Sequence, residues 1–228
     1  TTKKGKPGTP KLNYNFYYGS QTVANKIKLA NATQYAQLRN QAVTNDGGTA
    51  PFANPSQFGT GTNWQDEIFG TAPIMSHNLS VSGGSETSNY FTSVAYLDQK
   101  GIVATDQSDY KRMNFRVNTS FQPKKYIKFG ENFNYNYTRS TTFFNTNYWS
   151  SGPLNDAINL DPITPTVVTD VNSQPNAAIY NNNAAYILRD AQGLPYGISN
   201  YVAGLLNPLA EVKLFDGNYN WSHNLFGD

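Results

Sequence analysis

Two stretches of the chain carry the alternation that decides its fold: residues 110–121, YKRMNFRVNTSF, and residues 126–138, YIKFGENFNYNYT. In each stretch, most alternate positions are aromatic or aliphatic, and the intervening positions are mainly Asn, Arg, Lys, Thr or Ser. Because successive side chains of a β-strand point to opposite faces of the sheet, this period of two predicts two strands, each with an apolar and a polar face.

Four further strands are predicted around this pair, at residues 12–18, 77–82, 89–97 and about 211–227. The first two alternate between apolar and polar residues, and the third is assigned by its β-propensity. The last is expected to begin near Val212 and Leu214 and to include Trp221. The chain is therefore expected to be all-β, with about six antiparallel strands.

The connections between the predicted strands alternate in length. Tight turns are expected at residues 83–86 and 122–125, and long links at 20–75, 98–109 and 140–210. Outer-membrane β-barrels show this asymmetry, with short periplasmic turns and long extracellular loops. Within the first long link, residues 31–43 are expected to form one short helix, capped by Asn31 or Thr33.

The length and chemistry of the two central stretches fit a membrane barrel. They have 12 and 13 residues, and a tilted strand needs roughly 9–11 residues to cross a bilayer. An arginine is costly against lipid but ordinary in a water-filled lumen. The same alternation also fits a soluble β-sandwich with one solvated face. The barrel hypothesis predicts lipid-facing residues Phe115, Val117, Phe133 and Tyr135, and lumen-facing residues Arg112, Asn114, Arg116, Asn132, Asn134 and Asn136.

Composition narrows the functional classes. Charged residues are 14% of the 228, against roughly 25% in a typical soluble domain, whereas aromatics reach 14% and Asn occurs 29 times. No apolar stretch approaches the ~20 residues that a transmembrane helix needs. The net charge of +2 is too small for a dedicated nucleic-acid binder, so no nucleic-acid partner is expected. The absence of Cys excludes disulfides and thiolate sites within the chain.

The sequence offers no evident constellation for catalysis or metal binding. His77 and His223 lack carboxylates at metal-ligand spacing, and Asp66 and Glu67 are adjacent in sequence. A glycoside hydrolase needs two carboxylates about 5–10 Å apart in a cleft, and no such pair is apparent. We therefore expect no enzyme activity, no catalytic residue, no metal site and no cofactor.

Aromatic residues are the remaining candidates for ligand contact. A cluster follows the fifth predicted strand, where the chain should emerge among the long loops, and exposed rings there can stack on a sugar or peptide. The candidate substrate-binding residues are Phe143, Phe144, Tyr148 and Trp149. Trp64 is instead expected to anchor its loop, because a large ring usually packs.

An ordered series of short segments resembles SusC/RagA-like TonB-dependent outer-membrane transporters. No single segment is diagnostic, but their order and spacing are similar to those of the family, closely over residues 1–140 and loosely beyond. The segments are TTKKGKPG at 1–8, NWQDEIF at 63–69, API at 72–74, HNLSVSGG at 77–84, YF at 90–91, GIV at 101–103, SDYKR at 108–112 and NPLA at 207–210.

The resemblance implies a fragment of such a transporter. Residues 1–10 would be the C-terminal end of the plug domain, and residues 11–228 the N-terminal portion of a barrel of about 22 strands. Because the alternating pattern runs up to the end of the sequence, we also expect a longer parent chain. Six strands leave two unpaired edges, which are not tolerated in lipid, so these edges should need partners.

The family likewise implies a function and a location. Its members import glycans or peptides across the outer membrane of Gram-negative, Bacteroidetes-type bacteria. The expected partners are a SusD-like surface lipoprotein, outer-membrane lipid, and TonB through an N-terminal region that this sequence lacks. The alternative is a secreted β-sandwich that binds carbohydrate or serves as an adhesin, with its Tyr and Phe buried between two sheets.

Overall fold

The computed structural model describes residues 5–142, 152–214 and 218–227. These residues form two compact units. The sheet unit contains residues 5–22, 71–142 and 218–227, and the loop unit contains residues 23–70 and 152–214. The predicted plug end at 1–10 overlaps the first strand, which begins at Gly8. The division into plug and barrel stays a prediction.

The sheet unit is a six-stranded antiparallel meander in which each strand pairs with its neighbours in sequence. This confirms the predicted number of strands and their antiparallel pairing. The strands are β1 (Gly8–Gln21), β2 (Ala72–Gly84), β3 (Ser88–Lys100), β4 (Asp109–Lys124), β5 (Ile127–Thr142) and β6 (Asn218–Gly227).

Every strand but the last extends beyond the stretch that predicted it. β1 runs to Gln21, for example, because its pairing continues until Gln21 lies opposite Ala72 of β2. The short connections at 85–87 and 125–126 lie at one end of the sheet, and the long ones at 22–71, 101–108 and 143–217 lie at the other. The predicted asymmetry between the two ends of the sheet is confirmed.

The loop unit contains five α-helices among its described residues, whereas the sequence predicted only one. Four of them have only five to seven residues, too few to show a clear helical period. The unit also has two 3₁₀ turns, at Pro55–Phe58 and Val171–Ser173. The helices are α1 (Ala32–Asn45), α2 (Trp64–Ile68), α3 (Pro153–Asn159), α4 (Ala177–Asn182) and α5 (Pro208–Leu214).

Helix α1 confirms the one predicted helix and decides its cap. The Asn31 side chain accepts a hydrogen bond of 2.9 Å from the Gln34 amide. The Gln34 side chain accepts one of 3.0 Å from the Asn31 amide in return. This reciprocal arrangement is a capping box, so Asn31 rather than Thr33 caps the helix.

Helix α5 corrects the predicted start of the sixth strand. Residues 211–214 were predicted as strand, but they lie in α5, and β6 begins at Asn218. Asn207 caps the helix by accepting hydrogen bonds from the amides of Leu209 (3.0 Å) and Ala210 (3.2 Å). Pro208 takes the first helical position, where its missing amide proton costs nothing. No described helix has the length and apolar character required to cross a bilayer.

Candidate functional site

The strand register sorts the side chains of the sheet onto two chemically different faces. Phe115 of β4 lies directly opposite Val94 of β3 and Tyr135 of β5, while Arg116 lies opposite Ser93 and Asn134. We call the side that carries Phe115 the apolar face and the side that carries Arg116 the polar face. The predicted lipid-facing residues Phe115, Val117, Phe133 and Tyr135 all lie on the apolar face, and the six predicted lumen-facing residues all lie on the polar face.

The apolar face continues across all six strands. Consecutive registers align Tyr14, Leu79, Val94, Phe115, Tyr135 and Leu225 in one row. Side chains of neighbouring rows pack against each other, as in the edge-to-face pair of Phe115 and Phe133. The outward surface of this face is open: Leu12 is 68% exposed and Trp221 is 72% exposed. The face is thus a broad hydrophobic surface.

The polar face is dominated by amides. One row across the sheet consists of Asn15, Asn78, Ala95, Asn114, Asn136 and Asn224, so five of its six side chains are asparagines. Toward the short-turn end, Arg116 and Asn134 border a cavity of about 480 Å³ that also touches Phe226. Amide groups both donate and accept hydrogen bonds. Such a wall can bind neutral polar groups such as sugar hydroxyls or peptide bonds.

The two histidines occupy equivalent positions on the apolar face. Residues 76–79 and 222–225 both read Ser-His-Asn-Leu. His77 Nδ1 shares a hydrogen bond of 2.7 Å with the Tyr14 hydroxyl, and His223 Nδ1 shares one of 2.6 Å with the Tyr135 hydroxyl. Each tyrosine lies diagonally across a strand pair from its histidine. A surface or structural role for both histidines agrees with this geometry, because each imidazole has a neutral partner.

The loop unit is held together by side-chain amides that clamp backbone groups. The buried Gln65 accepts from the Ile27 amide (2.9 Å) and donates to the Ile27 carbonyl (2.7 Å). Asn40 makes the same pair of hydrogen bonds to Phe52, at 2.9 and 2.7 Å. Each clamp satisfies a peptide group that has no sheet or helix partner. This use of Asn and Gln explains how long irregular segments pack with few regular elements.

Asp161 joins three segments of the loop unit. Its carboxylate accepts hydrogen bonds from the amides of Ile163 (3.1 Å) and Thr164 (2.9 Å), and from the Ser199 hydroxyl. Its backbone carbonyl accepts a hydrogen bond of 3.0 Å from Trp64 Nε1. Trp64 is only 2% exposed. The prediction that Trp64 anchors its loop by packing is therefore confirmed.

Asp156 and Glu211 form a buried pair of carboxyl groups that sequence reasoning missed. Asp156 is fully buried on α3 and accepts a hydrogen bond of 2.9 Å from the Leu206 amide. Burial and the nearby charge of Asp156 raise the pKa of Glu211 from 4.5 to about 7. Burial also raises the pKa of Asp156. The two residues are far apart in a link without periodicity, so the sequence carried no local signal for them.

This carboxyl pair does not resemble a glycoside hydrolase site. The two side chains are hydrogen-bonded to each other, and both are buried, so they leave no space for a sugar between them. The described residues include no group of three or more His, Asp or Glu positioned to hold a metal ion. The pair therefore serves to join α3 to α5.

A cavity of about 880 Å³ lies within the loop unit, bordered by α2, α3 and residues 26–31. Its size is within the range of small-molecule pockets. Lys26 and Asp66 on its rim form an ion pair, so their charges largely cancel. Tyr35 and Leu160 contribute a polar hydroxyl and an apolar wall. The predicted substrate-binding residues Phe143, Phe144, Tyr148 and Trp149 lie outside the described residues, so their role stays a prediction.

Curated relatives of the chain are TonB-dependent receptors. One from Formosa agariphila is 31% identical over 140 residues, which are 60% of this chain and 14% of that protein. A second receptor from the same species is 36% identical over 132 residues, 58% of this chain and 12% of that protein. TonB-dependent receptor SusC of Bacteroides thetaiotaomicron is 33% identical over 120 residues, 52% of this chain and 11% of SusC. The matched residues thus span less than a sixth of the length of these relatives. No family model matches the chain.

Solved structures of the RagAB peptide importer share the fold. The closed-closed state gives a TM-score of 0.59 over 72% of this chain, and the open-open state gives 0.60 over 76%. Sequence identity is 20% in both comparisons, and each covers 22% of the importer chain. At this identity the solved structures support only the fold, whereas the sequence relatives support the resemblance to TonB-dependent receptors. The sequence relatives confirm the predicted resemblance of the chain to SusC-like TonB-dependent transporters, and the RagAB structures confirm the fold.

Proposed function

We propose that the chain forms part of the barrel of a TonB-dependent outer-membrane importer of glycans or peptides. The importer would act with a SusD-like surface lipoprotein and lie in the outer membrane of a Gram-negative, Bacteroidetes-type bacterium. Residues 1–10 would be the end of its plug, and residues 11–228 the first portion of its barrel. The relative named SusC and the likeness to the RagAB peptide importer support this proposal.

The observation that carries the proposal is the exposed apolar face. Soluble monomers rarely expose contiguous apolar patches of more than a few hundred Å², yet this surface crosses six strands. A β-sandwich would cover such a face with a second sheet, but the described strands all belong to one sheet. Lipid on this face removes the unfavourable contact with water. The β-sandwich alternative is accordingly not favoured.

The polar face supplies the complementary half of the proposal. In a barrel, the side opposite the lipid lines the lumen, where Arg112, Arg116 and the row of asparagines stay hydrated. Glycans and peptides are both rich in groups that hydrogen-bond to amides. Phe143, Phe144, Tyr148 and Trp149 follow β5 in the sequence, and their rings are proposed to contact substrate.

Further strands and partners complete the proposed transporter. Within the described part of the chain, β1 and β6 are the edge strands of the sheet. In a closed barrel, additional strands would pair with both edges and satisfy their backbone groups. TonB would act through an N-terminal region beyond this sequence. We assign the chain a wall-forming role in transport and no catalytic step.

Gene deletion in the source bacterium tests the proposal. Loss of the full-length protein should abolish growth on one oligomeric glycan or peptide mixture and leave growth on its monomers intact. Loss of TonB should have the same effect, and the tagged transporter should co-purify with a surface lipoprotein after detergent extraction. Recovery of the protein from the culture medium without detergent would contradict the proposal and favour the secreted alternative.

A further inference from the structure

One row of the apolar face is charged. Consecutive strand registers align Tyr18, Met75, Asp98, Lys111, Arg139 and Trp221 across the sheet, each directly opposite the next. We call this set the charged row. It lies near the long-loop end of the sheet, one row beyond Tyr96, Met113 and Tyr137.

The charges in this row do not balance. Lys111 and Arg139 are directly opposite each other, and like charges at such positions destabilise a sheet. Asp98 offsets one of them, because its Oδ2 lies 3.7 Å from Lys111 Nζ. The Tyr96 hydroxyl also donates to Asp98 Oδ2 at 3.2 Å, so this carboxylate oxygen has two partners.

Within the described part of the chain, Arg139 is the cation of this row that has no carboxylate partner. Its guanidinium lies 5.8 Å from the centroid of the Tyr219 ring, and the side chain is exposed. In the next row toward the loops, Lys100 lies directly opposite Asp109, so that row is neutral. The charged row therefore keeps one excess positive charge.

The surroundings indicate what kind of anion fits beside these cations. Trp221 lies opposite Arg139, and Trp221 and Tyr219 are both mostly exposed. Tryptophan and tyrosine are enriched where a membrane protein meets the lipid headgroups. On the proposed function, the apolar rows lie in hydrocarbon, and the charged row lies at the level of the headgroups on the extracellular side.

We propose that Lys111 and Arg139 bind a phosphate of an outer-leaflet lipid, with Trp221 and Tyr219 flanking its headgroup. A phosphate between the two cations would turn their repulsion into two favourable contacts. Arginine can hold two phosphate oxygens at once, and lysine supplies a mobile point charge. Lipid A, which carries phosphates in the outer leaflet of Gram-negative outer membranes, has this chemistry. The inference rests on the proposed function.

Lipid titration of the purified full-length transporter tests this site. Native mass spectrometry in detergent would compare lipid A, dephosphorylated lipid A and inorganic phosphate as probes. We expect the double variant Lys111→Gln/Arg139→Gln to bind lipid A about tenfold more weakly than the wild type, because charge-assisted contacts to phosphate are lost. Arg112→Gln is the matched control: it removes a positive charge one residue away, on the opposite face, and should leave lipid A binding unchanged.

Each outcome supports or overturns the site. Equal affinity of the double variant and the wild type for lipid A overturns it, as does equal binding of lipid A and its dephosphorylated form. Stronger binding of inorganic phosphate than of lipid A assigns the cations to a free anion instead. Heat-modifiable migration in gels verifies that each variant is folded. If the wild type is recovered without detergent, the proposed function fails first, which distinguishes that failure from the loss of this site alone.

Discussion

The loop unit and the sheet unit place their large apolar side chains in opposite ways. The loop unit buries Phe52, Trp64 and Tyr180 and fixes its irregular segments with buried amides and carboxyls. The sheet unit leaves the surfaces of Leu12 and Trp221 open and presents its polar groups as a separate wall. The first is the arrangement of a protein in water, and the second suits a wall between lipid and water.

The two units thus suit two different solvents within one chain. In the loop unit the hydrophobic effect drives apolar groups inward, and polar groups enter the core only when they are hydrogen-bonded. In the sheet unit the strand ladder satisfies the backbone of the inner strands, so their side chains are free to match the solvent that each face meets. Substitutions at matched positions in the two environments test this comparison. The expected loss of stability is largest where the side chain is most completely buried.

Replacing one tryptophan in each unit should give the largest difference between two variants. We expect Trp64→Ala to destabilise the loop unit by about 3–5 kcal/mol, because a buried ring and its hydrogen bond to Asp161 are both lost. Trp221→Ala removes a mostly exposed ring and should leave hydrogen exchange within the loop unit unchanged. Hydrogen–deuterium exchange of residues 23–70 measures both effects. Equal exchange in the two variants would contradict the assignment of Trp64 to a packed core.

Placing charge on either face of β4 should give the next largest effect. Phe115→Arg is expected to cost about 2–4 kcal/mol in a bilayer, because the guanidinium would face hydrocarbon. Asn114→Arg, one residue away on the polar face, should change stability by no more than about 0.5 kcal/mol. Guanidinium unfolding of the transporter in phospholipid vesicles compares the two. A larger loss for Asn114→Arg would reverse the assignment of the faces.

The carboxyl pair predicts how the loop unit responds to pH. The pKa of Glu211 in the folded unit is about 7, above its ordinary value of 4.5, so the folded state holds this proton more tightly than the unfolded chain does. For this group, stability is greatest below pH 4.5, falls as the pH rises toward 7 and stays low above it. The total loss is on the order of 3 kcal/mol.

Glu211→Gln separates this effect from other titrations. The variant keeps the shape of the side chain without its charge, so stability should depend less on pH between 5 and 8 and should exceed that of the wild type near pH 8. Glu67→Gln removes an exposed carboxylate of the same unit and should preserve the wild-type profile. Thermal unfolding followed by exchange of α5 amides provides the readout. An unchanged pH profile in Glu211→Gln would exclude Glu211 as the responsible group.

The cap of α1 should give the smallest effect. Asn31→Ala removes the side-chain oxygen that accepts from the Gln34 amide and should cost about 1 kcal/mol. Asn31→Ser restores a capping oxygen and should recover most of that loss. Exchange of the first-turn amides of α1 reports the difference. Identical exchange in both variants would show that the capping box contributes nothing measurable.

The sheet was predictable because its signal is local. Alternation within residues 110–138 already determines which side chains share a face, and pairing with a neighbour in sequence then fixes the order of strands. The same local signal failed at Val212 and Leu214, which alternate like strand residues. There, Asn207 caps a helix and Pro208 takes its first position. These two residues are the sequence signals that favour a helix over a strand.

The loop unit was not predictable because its contacts are distant in sequence. Trp64 meets the Asp161 carbonyl 97 residues later, and the Asp156 carboxylate meets the Leu206 amide 50 residues later. Neither contact has a fixed sequence spacing or a motif from which it could be predicted. The high Asn content was visible in the sequence, but its two uses, as a polar wall and as backbone clamps, depend on tertiary structure.

Spin labels along β4 test most directly whether the sheet separates lipid from water. Single cysteines at positions 112–117, introduced into a transporter free of other reactive cysteines, would be labelled in lipid bilayers and measured for collisions with oxygen and with a water-soluble nickel complex. We predict oxygen maxima at Met113, Phe115 and Val117 and nickel maxima at Arg112, Asn114 and Arg116. Oscillations in phase with each other, or nickel maxima on the apolar face, would contradict the account.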